Sequence, residues 1–138
     1  FCAGSFSAGE HNDCVAMAKQ FANRTHFVHL RSCYIFPNGN FTEASHLGGR
    51  GHLIELCRIF EKAEQEGKCN SGRRLPMRVD HGMTFTDEPG GVFDESNHGH
   101  NAGYTLLGRM FAMGQIQGVI ATVDDELGIE YKQPGFYD

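Results

Sequence analysis

An alternation of strand-like and helix-like segments is the feature that most constrains the fold of this chain. Short apolar runs rich in β-forming residues alternate with longer segments in which apolar residues recur at helical spacing. The predicted strands are residues 25–31, 75–80 and 117–123, and residues 1–5 are predicted to be the end of an earlier strand running into a loop. Strict alternation predicts right-handed crossovers between parallel strands, and therefore an α/β fold.

Three helices are predicted from stripes of apolar residues spaced three or four apart. The predicted helices start after Asn12 or Asp13, cover residues 53–63 with a stop at Gly67, and cover residues 104–114 with Asn101 as N-cap. The 138 residues are enough for one compact domain with its own core, so we expect residues 1–138 to form a single unit.

The charge balance argues against several classes of partner. Seventeen acidic side chains against twelve basic ones give a net charge of -5, and Lys and Arg form no run. We therefore expect no nucleic-acid partner and no membrane-surface patch. No apolar stretch approaches the roughly 18 residues of a membrane span and no leader pattern is seen, so we expect a cytoplasmic protein.

The cysteines and histidines narrow the chemistry further. The five cysteines are scattered and form no Cys-x-x-Cys pair, which argues against a disulfide scaffold and against a zinc ribbon. Eight histidines are a high share for a chain of this length and indicate metal or proton-transfer chemistry. Composition alone leaves the choice between the two open.

Candidate metal ligands lie at the predicted strand ends. Cys2, His29 and Asp80, followed by His81, all fall at the carboxyl ends of predicted strands, and the two longest loops, 32–51 and 81–101, follow such ends. Active sites of parallel α/β folds are built at that edge. Each residue alone has a plain structural explanation, but a shared edge favours a mixed sulfur, nitrogen and oxygen site for Fe, Mn, Zn or Co.

Weaker candidates have simpler explanations. His98 and His100 lie on a polar loop and are expected to be solvated, and His26 should face the opposite side of its strand from His29. The acidic run 124–126 is expected to be a solvated strand exit.

Five segments, in order along the chain, resemble consecutive motifs of the mannonate dehydratase family. They are FCAGS at residues 1–5, HFVHLR at 26–31, FTEASHL at 41–47, PMRVDHG at 76–82 and NAGYTLLGR at 101–109. The family fold is a metal-dependent (β/α)8 TIM barrel related to the sugar isomerases. The resemblance implies that this chain is the C-terminal half of such a barrel, with about four parallel strands alternating with helices.

The resemblance also implies an activity and a set of site residues. The family dehydrates D-mannonate to 2-keto-3-deoxy-D-gluconate in hexuronate (glucuronate) breakdown and uses Mn²⁺ or Fe²⁺. The implied metal ligands are Cys2, His29 and Asp80, and the implied acid/base groups are His81 and Tyr104. Loss of water needs a base for the C2 proton and an acid for the C3 hydroxyl. Arg31 or Arg109 would hold the substrate carboxylate.

Some features depart from the family pattern. Val79 stands where the family commonly has Pro, and Met83 where it commonly has His. The family's N-terminal half supplies a further His ligand, so we expect this chain to be a fragment that is inactive alone. We also expect the full-length enzyme to be a homo-oligomer. The alternatives are a related sugar-acid isomerase or epimerase barrel, or a catalytically silent half-barrel that binds metal.

Overall fold

The computed structural model describes residues 1–85 and 103–130. Its helices and strands, in chain order, are α1 (Ala3–Ser7), α2 (Cys14–Phe21), β1 (Val28–His29), β2 (Cys33–Ile35), β3 (Phe41–Glu43), α3 (Leu53–Gln65), β4 (Met77–Arg78) and α4 (Leu106–Leu127). Short 3₁₀ turns lie at Ala22–Arg24 and Asn70–Gly72.

Three extended segments lie side by side in parallel. β1 pairs with β4, Val28 opposite Met77 and His29 opposite Arg78. On the other side of β1, Cys2 forms a parallel bridge with His29, and the His29 amide donates to the Phe1 carbonyl at 2.8 Å. The chain is therefore α/β with parallel strands, as the sequence predicts, and the three carboxyl ends meet at one edge. The paired stretches are shorter than the predicted strands 25–31 and 75–80.

The segment 32–51, predicted as a loop, contains an antiparallel hairpin. β2 pairs with β3 from Cys33 opposite Glu43 to Ile35 opposite Phe41. Gly39 provides the turn with φ +84°, a conformation that glycine adopts without strain. The hairpin matters for the site because it brings Glu43 back to the edge where the parallel strands end.

The predicted strand 117–123 is wrong, because α4 continues through it to Leu127. Ala112, Ile116 and Val123 are buried, at spacings of four and seven residues that lie on one face of a helix. Helical periodicity therefore outweighs the β-branched composition of this segment. The described residues contain three parallel extended segments where about four strands were predicted.

Two other predictions near the ends of elements also need correction. Residues 1–5 do end an extended segment, but they enter helix α1 at Ala3, where a loop was predicted. Asp124 is buried within α4, whereas the acidic run 124–126 was expected to be solvated. Asn101, His98 and His100 lie outside the described residues, and the residue before α4 is Thr105.

Helix α4 also corrects the expectation that no apolar stretch of the chain approaches the length of a membrane span. It is long enough, and at a mean hydropathy of 1.2 apolar enough, to cross a membrane by length and composition. One such helix is weak evidence for a span, since core helices pass the same test. Within the structure α4 packs on α3, and an ion pair between Arg58 and Glu126 joins the two helices.

Helix α3 forms the centre of the core. Its buried residues are those of the predicted stripe, Leu53, Leu56, Cys57, Phe60 and Ala63, and they pack beneath α2, α4 and the parallel strands. Gly67, with φ +64°, follows the end of α3 as predicted, and the Asp13 side chain caps α2 by accepting from the Ala16 amide. The core thus fixes the strands whose ends carry the site.

Candidate metal centre

Cys2, His29 and Asp80 converge at the carboxyl ends of the three parallel segments. One ligand atom from each lies within 4.8 Å of the other two, and His29 Nδ1 is 3.4 Å from Asp80 Oδ2. Atoms that each lie about 2.0–2.6 Å from one ion can be at most about 5 Å apart, so this spacing fits a single cation. A thiolate, an imidazole and a carboxylate together suit a divalent transition metal.

The local fold orients each of these side chains. Cys2 precedes α1, and its Sγ accepts hydrogen bonds from the backbone amide and the hydroxyl of Ser5 at 3.4 and 3.2 Å. The His29 ring packs edge-on against Phe27, with ring centroids 4.9 Å apart. Sγ and imidazole are thus held at adjacent positions by the bridge between Cys2 and His29.

Asp80 is the most constrained of the three ligands. It is 4% exposed and adopts a left-handed backbone conformation, φ +56°. Its Oδ1 accepts hydrogen bonds from Tyr104 Oη at 2.8 Å and Arg78 Nη2 at 3.1 Å. Burial alone would raise the pKa of Asp80, but the hydrogen bond from Tyr104 and the positive charge of its neighbours hold this pKa below its ordinary value. The carboxylate is therefore ionised, with Oδ2 directed toward His29.

The structure places the predicted acid/base residues beside the cluster. The hydrogen bond that Tyr104 donates to Asp80 raises the pKa of the phenol, so Tyr104 stays protonated at neutral pH. The His81 ring packs against the Tyr104 ring with centroids 4.4 Å apart, and His81 Nδ1 lies 3.3 Å from Glu43 Oε1. A protonated phenol and an imidazole thus lie next to the candidate metal ligands.

The two predicted substrate-binding arginines have different environments. Arg31 donates from Nε and Nη2 to the two carboxylate oxygens of Glu43, and both side chains are largely buried. Arg109 lies on α4 with its guanidinium carbon 5.3 Å from the centre of the Tyr104 ring. Arg31 therefore takes part in an internal ion pair, whereas Arg109 lies over the Tyr104 ring.

Sequence reasoning missed two residues of this site, Arg78 and Glu43. Arg78 contacts both Asp80 and Tyr104, and strand alternation could have indicated it, since residues 78 and 80 share a face. Glu43 lies within the segment 41–47 that carried the family resemblance, but without the hairpin its position could not be inferred.

The fold and the cluster define an α/β chain with a mixed thiolate, imidazole and carboxylate site at the ends of parallel strands. A sequence model of the family described as D-mannonate dehydratase (UxuA) matches residues 1–129. Because this match covers nearly the whole chain, the chain belongs to the D-mannonate dehydratase family. The resemblance shown by the five motifs is confirmed.

Individual relatives agree with this assignment. The chain is 38% identical over 128 residues to mannonate dehydratase 2 of Agrobacterium fabrum, covering 91% of this chain and 30% of the relative. It is 35% identical over 125 residues to mannonate dehydratase of Saccharophagus degradans, covering 89% and 30%. The crystal structure of mannonate dehydratase from Streptococcus suis serotype 2 matches the fold with a TM-score of 0.67 at 20% identity, over 99% of this chain and 37% of that one.

Proposed function

We propose that this chain is the metal-binding part of a mannonate dehydratase. The proposed reaction is the dehydration of D-mannonate to 2-keto-3-deoxy-D-gluconate, a step of glucuronate catabolism in the cytoplasm, with Mn²⁺ or Fe²⁺ as cofactor. The observation that carries the proposal is the convergence of Cys2, His29 and Asp80 within 4.8 Å, with Tyr104 hydrogen-bonded to Asp80. Family membership supports the choice of substrate.

We also propose that this chain is a fragment of a (β/α)8 barrel. The chain spans about 30% of the length of the curated relatives and 37% of the solved structure. An eight-stranded barrel cut to that share would keep about three strands, and three parallel segments are described. An open groove of about 660 Å³ lies beside the outer segment and is lined largely by aromatic residues, among them Phe1, Phe6 and Phe27. A neighbouring strand and helix of a complete barrel would cover such a surface.

In the proposed mechanism, Cys2, His29 and Asp80 hold the metal. When bound, the cation would polarise the substrate carboxylate or the adjacent hydroxyl, which makes the C2 proton more acidic. The His81 imidazole accepts the C2 proton, and the protonated Tyr104 phenol gives its proton to the departing C3 hydroxyl, which leaves as water. The resulting 2,3-enol takes up a proton at C3 and loses the proton of its C2 hydroxyl, which gives the 2-keto-3-deoxy acid. The hydrogen bond to Asp80 keeps the Tyr104 proton in place until that step.

Arg109 is the better candidate for the substrate carboxylate. The Nε and Nη2 groups of Arg31 are occupied by Glu43, whereas the Arg109 guanidinium lies over the Tyr104 ring. A two-pronged contact from Arg109 would place the carboxylate next to Tyr104. We further propose that the full-length enzyme is a homo-oligomer.

Product analysis tests this function against its alternatives. The full-length protein that contains this chain, loaded with Mn²⁺ or Fe²⁺, should convert D-mannonate to the 2-keto-3-deoxy acid and leave other aldonates largely unchanged. An isomerised or epimerised sugar acid as the product would assign the protein to a related barrel enzyme. Metal binding without turnover of any aldonate would indicate a silent metal-binding protein.

A further inference from the structure

His46 is a buried histidine that the proposed mechanism does not use. Its side chain is 1% exposed and lies where β1 and β4 end. Its Nε2 is 2.9 Å from the carbonyl oxygen of Val79, and the imidazole also interacts with the backbone of Leu30. Leu30 and Val79 directly follow the last paired positions of the two strands, next in sequence to His29 and Asp80 respectively. His46 therefore joins the ends of the strands that carry two of the three ligands.

The backbone of His46 is anchored from the opposite side by helix α4. Gln115 Oε1 accepts hydrogen bonds from the His46 amide and from the Ser45 hydroxyl, both at 3.2 Å, and Gln115 Nε2 donates to Ser45 Oγ at 3.0 Å. The imidazole is thus fixed between a helix and two strand ends. A side chain anchored in this way can restrain the backbone that it contacts.

The hydrogen bond to Val79 acts on the peptide that leads into Asp80. Burial lowers the pKa of His46, so the ring is neutral and carries one N–H, which Nε2 donates to the Val79 carbonyl. That carbonyl belongs to the peptide plane whose rotation sets φ of Asp80. The left-handed φ of +56° is uncommon for residues other than glycine, although Asp adopts it more readily than most, and the contacts around Asp80 help to hold it.

We propose that His46 is a positioning residue for Asp80: by holding the Val79 carbonyl it keeps Asp80 in the left-handed conformation that directs its carboxylate toward His29 and Tyr104. The inference rests on the proposed metal site for its functional meaning. The contact itself joins the His46 imidazole to the Val79 backbone carbonyl, and it can be tested in the metal-free chain.

Two substitutions at position 46 separate the hydrogen bond from the packing. His46→Phe fills the space without a donor, and His46→Gln retains a side-chain N–H. In the metal-free chain, NMR coupling constants and ¹³C shifts should show that Asp80 leaves its positive φ in the Phe variant and keeps it in the Gln variant. A positive φ at Asp80 in the Phe variant would overturn the proposal.

Cobalt(II) binding to the 138-residue chain provides the second readout. His46→Phe should weaken Co²⁺ binding about 10- to 100-fold, the usual effect of losing a group that orients a ligand, and His46→Gln should recover most of this loss. In an Asp80→Asn background, His46→Phe should cause little further loss, because it acts through Asp80. An equal further loss in that background would show that His46 acts by general stability alone.

A matched control removes another buried side-chain hydrogen bond, one that involves none of the candidate ligands. Thr25 is 6% exposed and its hydroxyl donates to the Phe21 carbonyl, so Thr25→Val should lower thermal stability and leave Co²⁺ affinity unchanged. A Thr25→Val chain that loses as much affinity as His46→Phe would refute the positioning role. If the unmodified chain binds no Co²⁺, Cys2, His29 and Asp80 do not hold a metal by themselves, and the φ of Asp80 still decides the role of His46.

Discussion

The carboxyl group of Glu61 offers a quantitative test of the packing between α3 and α4. Burial, together with the negative charges of Asp124 and Glu64, raises the pKa of Glu61 from 4.5 to about 7, against the opposing effect of Arg74. Because the folded chain binds this proton more tightly than the unfolded chain, the free energy of unfolding should fall as pH rises from 4.5 through 7.

The size of the effect follows from the pKa. A rise from 4.5 to about 7 corresponds to about 3 kcal/mol once the carboxyl is ionised. Glu61 is partly accessible to water, which screens the charge, so we expect about 2 kcal/mol. Glu61→Gln mimics the protonated acid and should therefore raise the free energy of unfolding by about 2 kcal/mol at pH 8.5, and by little at pH 4.5.

Urea denaturation of the 138-residue chain at the two pH values measures this difference. Glu55→Gln is a matched control on the same helix, since Glu55 lies on the exposed side near Lys19 and Arg58. It should show no comparable gain at the higher pH. An equal effect of Glu61→Gln at both pH values would refute the argument, because it would mean that the Glu61 charge is not suppressed by folding.

Four further predictions concern the candidate site. Asp80→Asn should weaken Co²⁺ or Mn²⁺ binding at least 10-fold by calorimetry, since it removes an anionic ligand. Iodoacetamide should label Cys2 first, because the other four cysteines are buried and burial raises the pKa of Cys57 to about 12; bound Mn²⁺ should protect Cys2 in peptide mass spectra. In the full-length enzyme, Tyr104→Phe should retain metal binding and lower kcat roughly 10²- to 10⁴-fold, whereas a near-normal kcat would exclude Tyr104 from proton transfer. The 138-residue chain should show no turnover of D-mannonate by product assay, and appreciable turnover would show that the parts of the relatives that this chain does not span are dispensable.

The sequence predicted those parts of the fold in which periodicity is strong. The stripe of α3 and the cap of α2 are local signals, so they could be recognised without tertiary information. The segment 117–123 contains β-branched residues although it lies in a helix, and this composition favoured a strand. The helical spacing of its buried residues is seen only when the segment is considered together with Ala112 and Ile116. A longer window would have favoured one helix over a helix followed by a strand.

The candidate ligands could be predicted because position at a strand end is itself a sequence-level signal. To predict that Cys2, His29 and Asp80 meet, it was enough to place three extended segments correctly and to apply the rule that parallel carboxyl ends share an edge. The positions of the supporting residues Glu43 and His46 depend on the hairpin between β2 and β3. This hairpin was not predicted, because segment 32–51 was interpreted as a loop.

The candidate metal ligands and the surroundings of the substrate differ in how completely this chain provides them. Cys2, His29 and Asp80 are positioned by contacts within residues 1–85 together with Tyr104. The groove beside Phe1 and Phe27, which Cys2 and His29 also line, is open to solvent. Substrate positioning depends on walls around the reacting atoms, and displacements of about 1 Å can cost about 100-fold in rate. Metal affinity should therefore persist in the isolated chain while turnover is lost, and the two measurements on one sample separate the role of the ligands from that of the enclosing barrel.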